Sequence, residues 1–318
     1  MKRNRESRDK NNMISTFKHK KMTWIDLESP TADEVKSLMK KYPIHPLVAE
    51  ELLRPTIRPK VDAYKDSVYL ILHFPVFDTN KRQCASCEID FIIGKNFFIT
   101  VHYRTLGTLV ELTRIFEVDA TLGEDNLSKN SGTLFFHIVR QFYAFSMRQI
   151  DHIQEKINGI EDEMFEKKAS QYNLVRKISH VRRDVLDFRR TINSHKEVFS
   201  SLEAVRGKFF GVGFSHYLSN LLGEYYKTWS MVESSRETIE SLQETNDSLL
   251  SNRTNDIMKV LTIMAFVTFP LMLLTSMFGM NTSYLPIVGA KGDFLYIVGI
   301  MVLSTTIMFS FFKHKRWI

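Results

Sequence analysis

Two stretches near the end of the chain contain no charged residue, Val260–Phe278 and Phe294–Phe312. As a helix, each would be about 28 Å long, close to the roughly 30 Å thickness of a bilayer's hydrocarbon core. A core helix of a soluble protein usually keeps a polar side, although two fully buried helices remain the alternative. The pattern therefore predicts two membrane-spanning helices joined by a short loop.

Residues 22–132 show a mixed pattern typical of an α/β domain. The segments TWIDL, SVYLILHF, EIDFIIG and NFFITVHY alternate or run apolar as strands do, and the last two are joined by a turn at residues 94–96. Helices are predicted after Thr31, where acids come early and lysines late, and at Pro46. We expect this domain to lie in the cytoplasm.

After residue 132 the apolar residues recur at steps of three and four, as on helices that pack along a seam. Two such seams are Ile150, Ile153, Ile157, Ile160 and Met164, then Leu174, Ile178, Val181, Val185, Phe188 and Ile192. They predict an antiparallel helical hairpin with an acidic tip at Glu161–Glu166. From residue 214 the pattern stays helical to Gly279, which predicts a stalk helix about 100 Å long that enters the membrane.

The chain divides into seven expected segments. They are a disordered basic tail (1–21), the α/β domain (22–132), the helical hairpin (133–213), the stalk and first membrane helix (214–279), an outer loop (280–293), the second membrane helix (294–312) and a basic cytoplasmic tail (313–318).

The net charge of +7 over 318 residues invites a nucleic-acid-binding interpretation. However, residues 1–21 carry +6 and the last six residues carry +3, so the rest of the chain is slightly acidic. A nucleic-acid-binding domain would carry its basic residues on a folded face, and we expect no such partner. Basic residues flank both apolar stretches, so the positive-inside rule places both chain ends in the cytoplasm.

No sequence motif for catalysis or for nucleotide binding is present, so we expect neither an enzyme nor an organic cofactor. The histidines do not occur at metal-ligand spacing. Cys84 and Cys87 form half of a four-ligand zinc motif, which leaves metal binding or a redox pair as the less favoured alternative to two ordinary cysteines.

Gly279-Met280-Asn281, at the outer end of the first apolar stretch, resembles the signature of the CorA family of magnesium transporters. Residues 255–281, 44–61 and 94–102 also resemble family segments, and the similarity extends over residues 22–318. It implies an α+β membrane protein that forms a funnel-shaped homopentamer. Five first helices would line the pore, and the second helices would form an outer ring that faces lipid.

The family resemblance also implies a set of pore-lining positions about 3.5 residues apart. They are Asn255, Met258, Leu261, Ala265, Phe269, Met272 and Ser276. Asn281 would form a ring of amide oxygens that holds hydrated Mg²⁺ through its waters, because Mg²⁺ dehydrates reluctantly. Apolar members of the set would close the pore by dewetting. Phe269 and Met272 are bulkier than the family leads us to expect.

Regulation by intracellular Mg²⁺ is implied at acidic residues between subunits, here Glu50 and Glu51. A further acidic position of the family is Asn220 in this chain, and an amide supplies no charge to Mg²⁺. Glu224 is a neighbouring substitute. A basic collar near the inner mouth of the pore would consist of Lys313, Lys315 and Arg316.

The resemblance thus implies a plasma (inner) membrane channel that passes Mg²⁺, and also Co²⁺ or Ni²⁺, into the cytoplasm. Its expected partners are its own copies, lipid and divalent cations. Two alternatives are a Zn²⁺ transporter of the ZntB branch and a membrane-anchored coiled-coil scaffold that conducts nothing.

Overall fold

The computed structural model describes residues 14–78, 83–122, 130–166, 171–210, 213–281, 287–289 and 291–315. The chain divides into two compact units, Met1–Gln243 and Glu244–Ile318. The first unit contains a β-sheet and most of the helices, and the second contains the last part of the longest helix and the C-terminal helix.

A six-stranded sheet forms the centre of the first unit. Its strands are β1 (Ile14–His19), β2 (Met22–Glu28), β3 (Lys60–Ala63), β4 (Ser67–Asp78), β5 (Gln83–Gly94) and β6 (Phe97–His102). Their order in space is β1-β2-β6-β5-β4-β3, and all neighbours are antiparallel except β2 and β6. The four predicted strands and the turn after Gly94 are confirmed.

Strand β1 corrects the prediction that residues 1–21 form a disordered tail. Ile14–His19 pairs with β2 along its full length, from Ile14 opposite Leu27 to His19 opposite Met22. The Phe17 ring lies 5.4 Å from that of Trp24. The two apolar residues of this strand, Ile14 and Phe17, pack against the cores on opposite faces of the sheet, and the edge of β2 supplies the strand's hydrogen bonds. Residues 1–13 lie outside the described part.

Two short helices cover one face of the sheet, α1 (Ala32–Lys41) and α2 (Pro46–Glu51). Thr31 caps α1 in a capping box, in which the Thr31 amide donates to Glu34 Oε2 at 2.8 Å and the Glu34 amide donates to Thr31 Oγ1 at 3.4 Å. Both helix starts that the sequence predicts are therefore confirmed.

The other face packs against α3 (Gly107–Leu122), α4 (Ser131–Met164) and α6 (His195–Phe209). Aromatic rings fill this core; for example, the Phe74 ring stacks on Phe142 at 4.8 Å, and Phe91 meets Phe135 edge-on at 5.3 Å. Helix α3 has no counterpart in the sequence prediction.

The predicted seams are the buried faces of α4 and α5 (Gln171–Ile192), and all eleven seam residues are buried. The helices run antiparallel, since Lys156 Nζ lies 3.2 Å from Asp184 Oδ2, while Lys177 pairs with Glu163 nearer the tip. The acidic segment Glu161–Glu166 thus ends α4.

The second arm of the hairpin is broken, which the sequence did not predict. Helix α5 ends at Ile192 and α6 begins at His195. The Val198 amide donates to the Ser194 carbonyl at 3.1 Å, so Ser194 occupies the N-cap of α6. Asn and Ser favour helix ends because their side chains compete for backbone hydrogen bonds.

Helix α7 (Phe214–Phe278) has 65 residues and α8 (Asp293–His314) has 22. Both are long and apolar enough to cross a membrane by length and composition. Helix α8 continues two residues past the predicted end at residue 312, so Lys313 lies in its last turn. Of the expected outer loop, residues 282–286 and 290 lie outside the described part.

Candidate ion-conduction pathway

Seven expected pore-lining residues form a continuous stripe on the second unit's part of α7. At about 100° per residue they fall within an arc of about 120°. We call this set (Asn255, Met258, Leu261, Ala265, Phe269, Met272 and Ser276) the pore stripe. The helix is unbroken from Phe214 to Phe278, so the stripe keeps one direction throughout.

The pore stripe is largely exposed in the single chain. Phe269 is 66% exposed and Met272 is 65% exposed, and the stripe carries no charge. By contrast, Ile263 is the buried residue of segment 251–281, all of which the structure describes. Its position on the helix is about 150° away from the centre of the stripe. The stripe therefore belongs to a larger apolar surface, with Met264, Phe266 and Leu273 also exposed, that the described residues leave uncovered.

The Gly279-Met280-Asn281 motif lies where α7 ends. The Gly279 amide donates to the Thr275 carbonyl at 2.9 Å, and the Met280 amide donates to the Met277 carbonyl at 3.4 Å. A Cβ added to Gly279 would lie 3.1 Å from the Thr275 oxygen, which is tight. Asn281 follows the helix and is exposed, so its amide is accessible.

Pro270 lies inside α7, where it has no amide to donate to the carbonyl four residues earlier. The hydroxyl of Thr268 donates to the Met264 carbonyl at 2.8 Å and that of Thr275 to the Leu271 carbonyl at 2.8 Å. These hydroxyl protons are satisfied within the helix, as apolar surroundings require.

The expected regulatory acids lie at the end of α2 and differ in their surroundings. Glu50 is exposed, whereas Glu51 forms an ion pair in which Lys60 Nζ lies 2.7 Å from Oε2. Lys60 also contacts Asp62 at 2.7 Å. Partial desolvation lowers the pKa of Lys60, but hydrogen bonds to Asp62 and Glu51 outweigh it and the pKa lies above its ordinary value. A cation at Glu51 must compete with this lysine.

Asn220 and Glu224 lie one turn apart on α7. The Asn220 side chain is exposed and its amide nitrogen lies 3.5 Å from His216 Nε2. Within the described residues, no group of three or more His, Cys, Asp or Glu side chains is arranged to hold a metal ion.

The basic residues at the C-terminal end lie at the end of α8. Lys313 is in its last turn, where a cation interacts favourably with the helix dipole, and Lys315 is its C-cap. Arg316 lies outside the described residues.

Of the two cysteines, the side chain of Cys84 also lies outside the described residues. Cys87 is buried as a free thiol, and burial raises its pKa to about 12, so it is a protonated core residue.

The sequence analysis missed a buried pair of carboxyl groups on β5. Asp90 Oδ2 accepts hydrogen bonds from Tyr69 at 3.3 Å and from Tyr103 at 3.1 Å. Burial raises the pKa of Asp90 well above its ordinary value, and the charge of Glu88 raises it further. The sequence feature that could have revealed this pair is the segment EIDF, in which two acids stand at alternate positions of an apolar strand. Alternate positions of a strand lie on the same face of the sheet.

These features define a protein with a large α/β unit and two helices, α7 and α8, that are long and apolar enough to cross a membrane. The chain matches the family described as CorA-like Mg2+ transporter protein over residues 19–314, and it belongs to this family. It is therefore a divalent cation transporter of the CorA family. Members of this family are channels or transporters, not enzymes.

Relatives of the chain carry names for different metals. The cobalt/magnesium transport protein CorA of Thermotoga maritima is 26% identical over 297 residues, which cover 93% of this chain and 83% of that protein. The zinc transport protein ZntB of Pectobacterium carotovorum is 20% identical over 298 residues, covering 94% and 88%. The family assignment thus leaves the choice between Mg²⁺ and Zn²⁺ open.

Among solved structures, the complete structure of the CorA magnesium transporter from Methanocaldococcus jannaschii matches with a TM-score of 0.82 at 21% identity. The match covers 96% of this chain and 94% of that one. It confirms the predicted fold class, in which an N-terminal α/β domain is followed by a long helix and two apolar C-terminal helices.

Proposed function

We propose that the chain forms a homopentameric channel that passes Mg²⁺, and also Co²⁺ or Ni²⁺, across the inner membrane into the cytoplasm. The observation that carries this proposal is the pore stripe, an exposed and uncharged face of one continuous helix that ends at Gly279-Met280-Asn281. The relative named as a cobalt/magnesium transport protein favours Mg²⁺ and Co²⁺ among these cations.

The need for several copies follows from the composition of the two apolar helices. Two helices without charge cannot enclose a polar path by themselves, because one side of each would face lipid. The pore stripe is apolar in its middle and polar at its ends, Asn255 and Ser276. Five copies with their stripes turned inward would enclose a narrow pore, and Phe269 and Met272 would restrict it by excluding water.

Asn281 is the proposed selectivity residue. Mg²⁺ keeps its waters because dehydration is costly. The outward-pointing hydrogens of those waters need acceptors, and five Asn281 side-chain oxygens would supply them without the charge that slows release. Met280 and Gly279 would set the backbone turn that presents this ring.

Regulation is proposed at Glu50 rather than equally at both acids. Glu50 is exposed, whereas the carboxylate of Glu51 is held by Lys60. Intracellular Mg²⁺ would bind Glu50 together with groups of a neighbouring copy, among them Glu224. Because Asn220 supplies no charge, we expect weaker inhibition by Mg²⁺ than a carboxylate at this position would give.

The proposed topology has both chain ends in the cytoplasm. Arg253 and Lys259 precede the first apolar stretch, and the basic collar of Lys313, Lys315 and Arg316 follows the second. Cytoplasmic flanks of membrane helices are enriched in such residues. The collar would lie near the inner mouth of the pore and interact with anionic lipid.

Ion flux in proteoliposomes tests the proposal. Vesicles with an entrapped Mg²⁺-sensitive dye are reconstituted with the wild-type protein, with Asn281→Ala or with Asn252→Ala, and Mg²⁺ entry is followed by the dye signal. Asn252→Ala is the matched control, because it lies on the same helix but off the pore stripe. We expect loss of Mg²⁺ entry in Asn281→Ala alone. Equal entry in all three would refute the role of Asn281.

Selectivity is tested in the same vesicles with equal concentrations of Mg²⁺ and Zn²⁺. Preferential Zn²⁺ entry would identify a ZntB-type transporter instead. Absence of flux of any divalent cation would support the scaffold alternative and contradict conduction altogether.

A further inference from the structure

A cavity of about 660 Å³ lies in the first unit, where strand β3 stops covering the edge of β4. Strand β3 pairs only with residues 68–71 of β4, so β4 beyond Ile71 pairs with β5 alone. The cavity is lined at this edge by the loop before β3 and by the junction of α5 and α6. Its volume is in the range of small-molecule sites.

Two nearly buried polar side chains line the cavity, His73 on β4 and Glu88 on β5. Their side chains are 10% and 4% exposed. The Thr56 amide donates to Glu88 Oε2 at 2.5 Å, and the Thr56 hydroxyl lies 3.3 Å from Oε1. Glu88 is thus fixed at the wall of the cavity by the loop before β3.

The ring of His73 lies beside Glu88. Its Nε2 lies 2.9 Å from the Thr56 carbonyl oxygen and 3.5 Å from Glu88 Oε2. Its Nδ1 is fully buried and has no hydrogen-bond partner among the described residues, so the ring offers no acceptor to the cavity. The Glu88 carboxylate has about four acceptor positions, of which the Thr56 amide and hydroxyl use two, so it can accept a further hydrogen bond from a ligand.

The rest of the lining differs in character. Arg104 and Arg190 are exposed cations, and the Arg190 side chain is 78% exposed. Pro55 and Ile57 add apolar surface, and Tyr103 adds an aromatic ring. One cavity therefore combines guanidinium groups, an apolar wall and the nearly buried carboxylate of Glu88.

A matching ligand has an anionic group, a flat apolar body and N–H donors. Guanidinium groups bind phosphate through paired hydrogen bonds. An adenine ring stacks on aromatic side chains and carries an exocyclic amino group that donates hydrogen bonds. We propose that this cavity binds an adenine nucleotide, with its phosphate at Arg104 and Arg190 and its amino group toward Glu88. This binding is independent of the proposed conduction of Mg²⁺.

Calorimetric titration of the full-length protein in detergent with adenosine 5′-monophosphate tests the proposal. Arg104→Gln and Arg190→Gln should each weaken binding about tenfold, or about 1.4 kcal/mol. Arg183→Gln is the matched control: it lies two turns earlier on α5, is exposed and does not line the cavity. Its affinity should equal that of the wild type. These arginines are exposed, so each variant should keep the wild-type melting temperature.

The ligand is varied in the same titration. Inosine 5′-monophosphate, which replaces the amino donor by a carbonyl, should bind more weakly than the adenine nucleotide. Inorganic phosphate should also bind more weakly. Absence of binding heat with the adenine nucleotide would overturn the proposal, as would equal affinities in the three arginine variants. Phosphate or the inosine nucleotide binding as tightly as the adenine nucleotide would overturn the assignment to adenine.

Discussion

His195 should make the stability of the first unit depend on pH. It is completely buried at the start of α6, where its Nδ1 accepts from the Tyr143 hydroxyl at 2.6 Å and its Nε2 donates to the His73 carbonyl at 2.7 Å. A second proton would take away the acceptor of Tyr143 and place a charge among aromatic rings. Burial lowers the pKa of His195 from 6.5 to about 4.

The sign and size of the effect follow from this pKa difference. Between about pH 6.5 and pH 4 the unfolded chain binds a proton at His195 and the folded chain does not, so stability is lost as the pH falls. At about 1.4 kcal/mol per pKa unit, the loss between pH 7 and pH 5 is about 2 kcal/mol. For a unit of this size that corresponds to a fall of about 4–8 °C in melting temperature.

The measurement compares thermal unfolding of the full-length wild type and His195→Gln from pH 7 to pH 5. Because other groups also titrate, the quantity of interest is the difference between the two curves. His195→Gln should be less stable at pH 7 but should lack the additional loss at pH 5. Tyr143→Phe is the control, since it removes the same hydrogen bond and keeps the imidazole. Parallel curves for wild type and His195→Gln would refute the reasoning.

Three further substitutions have defined expectations. Asp90→Asn should raise stability more at pH 8 than at pH 5, since the raised pKa of the buried carboxyl means that its contribution to stability is lost as the pH rises above the ordinary pKa of an aspartate; equal effects at both pH values would contradict this. Ile157→Ala, at a fully buried seam position, should cost about 2–5 kcal/mol in denaturant unfolding, whereas Asp151→Ala, at an exposed position of the same helix, should cost little. Gly279→Ala should reduce Mg²⁺ flux because the added Cβ crowds the Thr275 carbonyl, and unchanged flux would show that the helix end adapts.

Regular periodicity explains what the sequence predicted well. The seam of α4 repeats over Ile150, Ile153 and Ile157, and each apolar position proved buried. The length of α7 followed from the absence of any strong stop signal between residues 214 and 278. Patterns that extend over several turns leave few alternatives, because a shift of one residue would expose the apolar side chains.

Features that depend on one or two residues were not predictable in this way. Strand β1 relies on Phe17 and on the free edge of β2, which a basic segment of sequence does not reveal. The break between α5 and α6 depends on the caps at Asn193 and Ser194. The contacts of Asp90 come from Tyr69 on β4 and from Tyr103 just after β6, so that only the folded sheet brings them together.

Because α7 is continuous, the number of residues between two of its positions sets the angle between their side chains around the helix axis. No Gly or Pro interrupts residues 244–269, so the pore stripe from Asn255 to Phe269 lies on one regular run of helix. Inserting one residue after Leu261 would turn the part of the stripe beyond it by about 100° relative to Asn255 and Met258, whereas inserting seven would turn it by only about 20°. A seven-residue insertion is therefore expected to disturb the alignment of the stripe much less than a single-residue insertion.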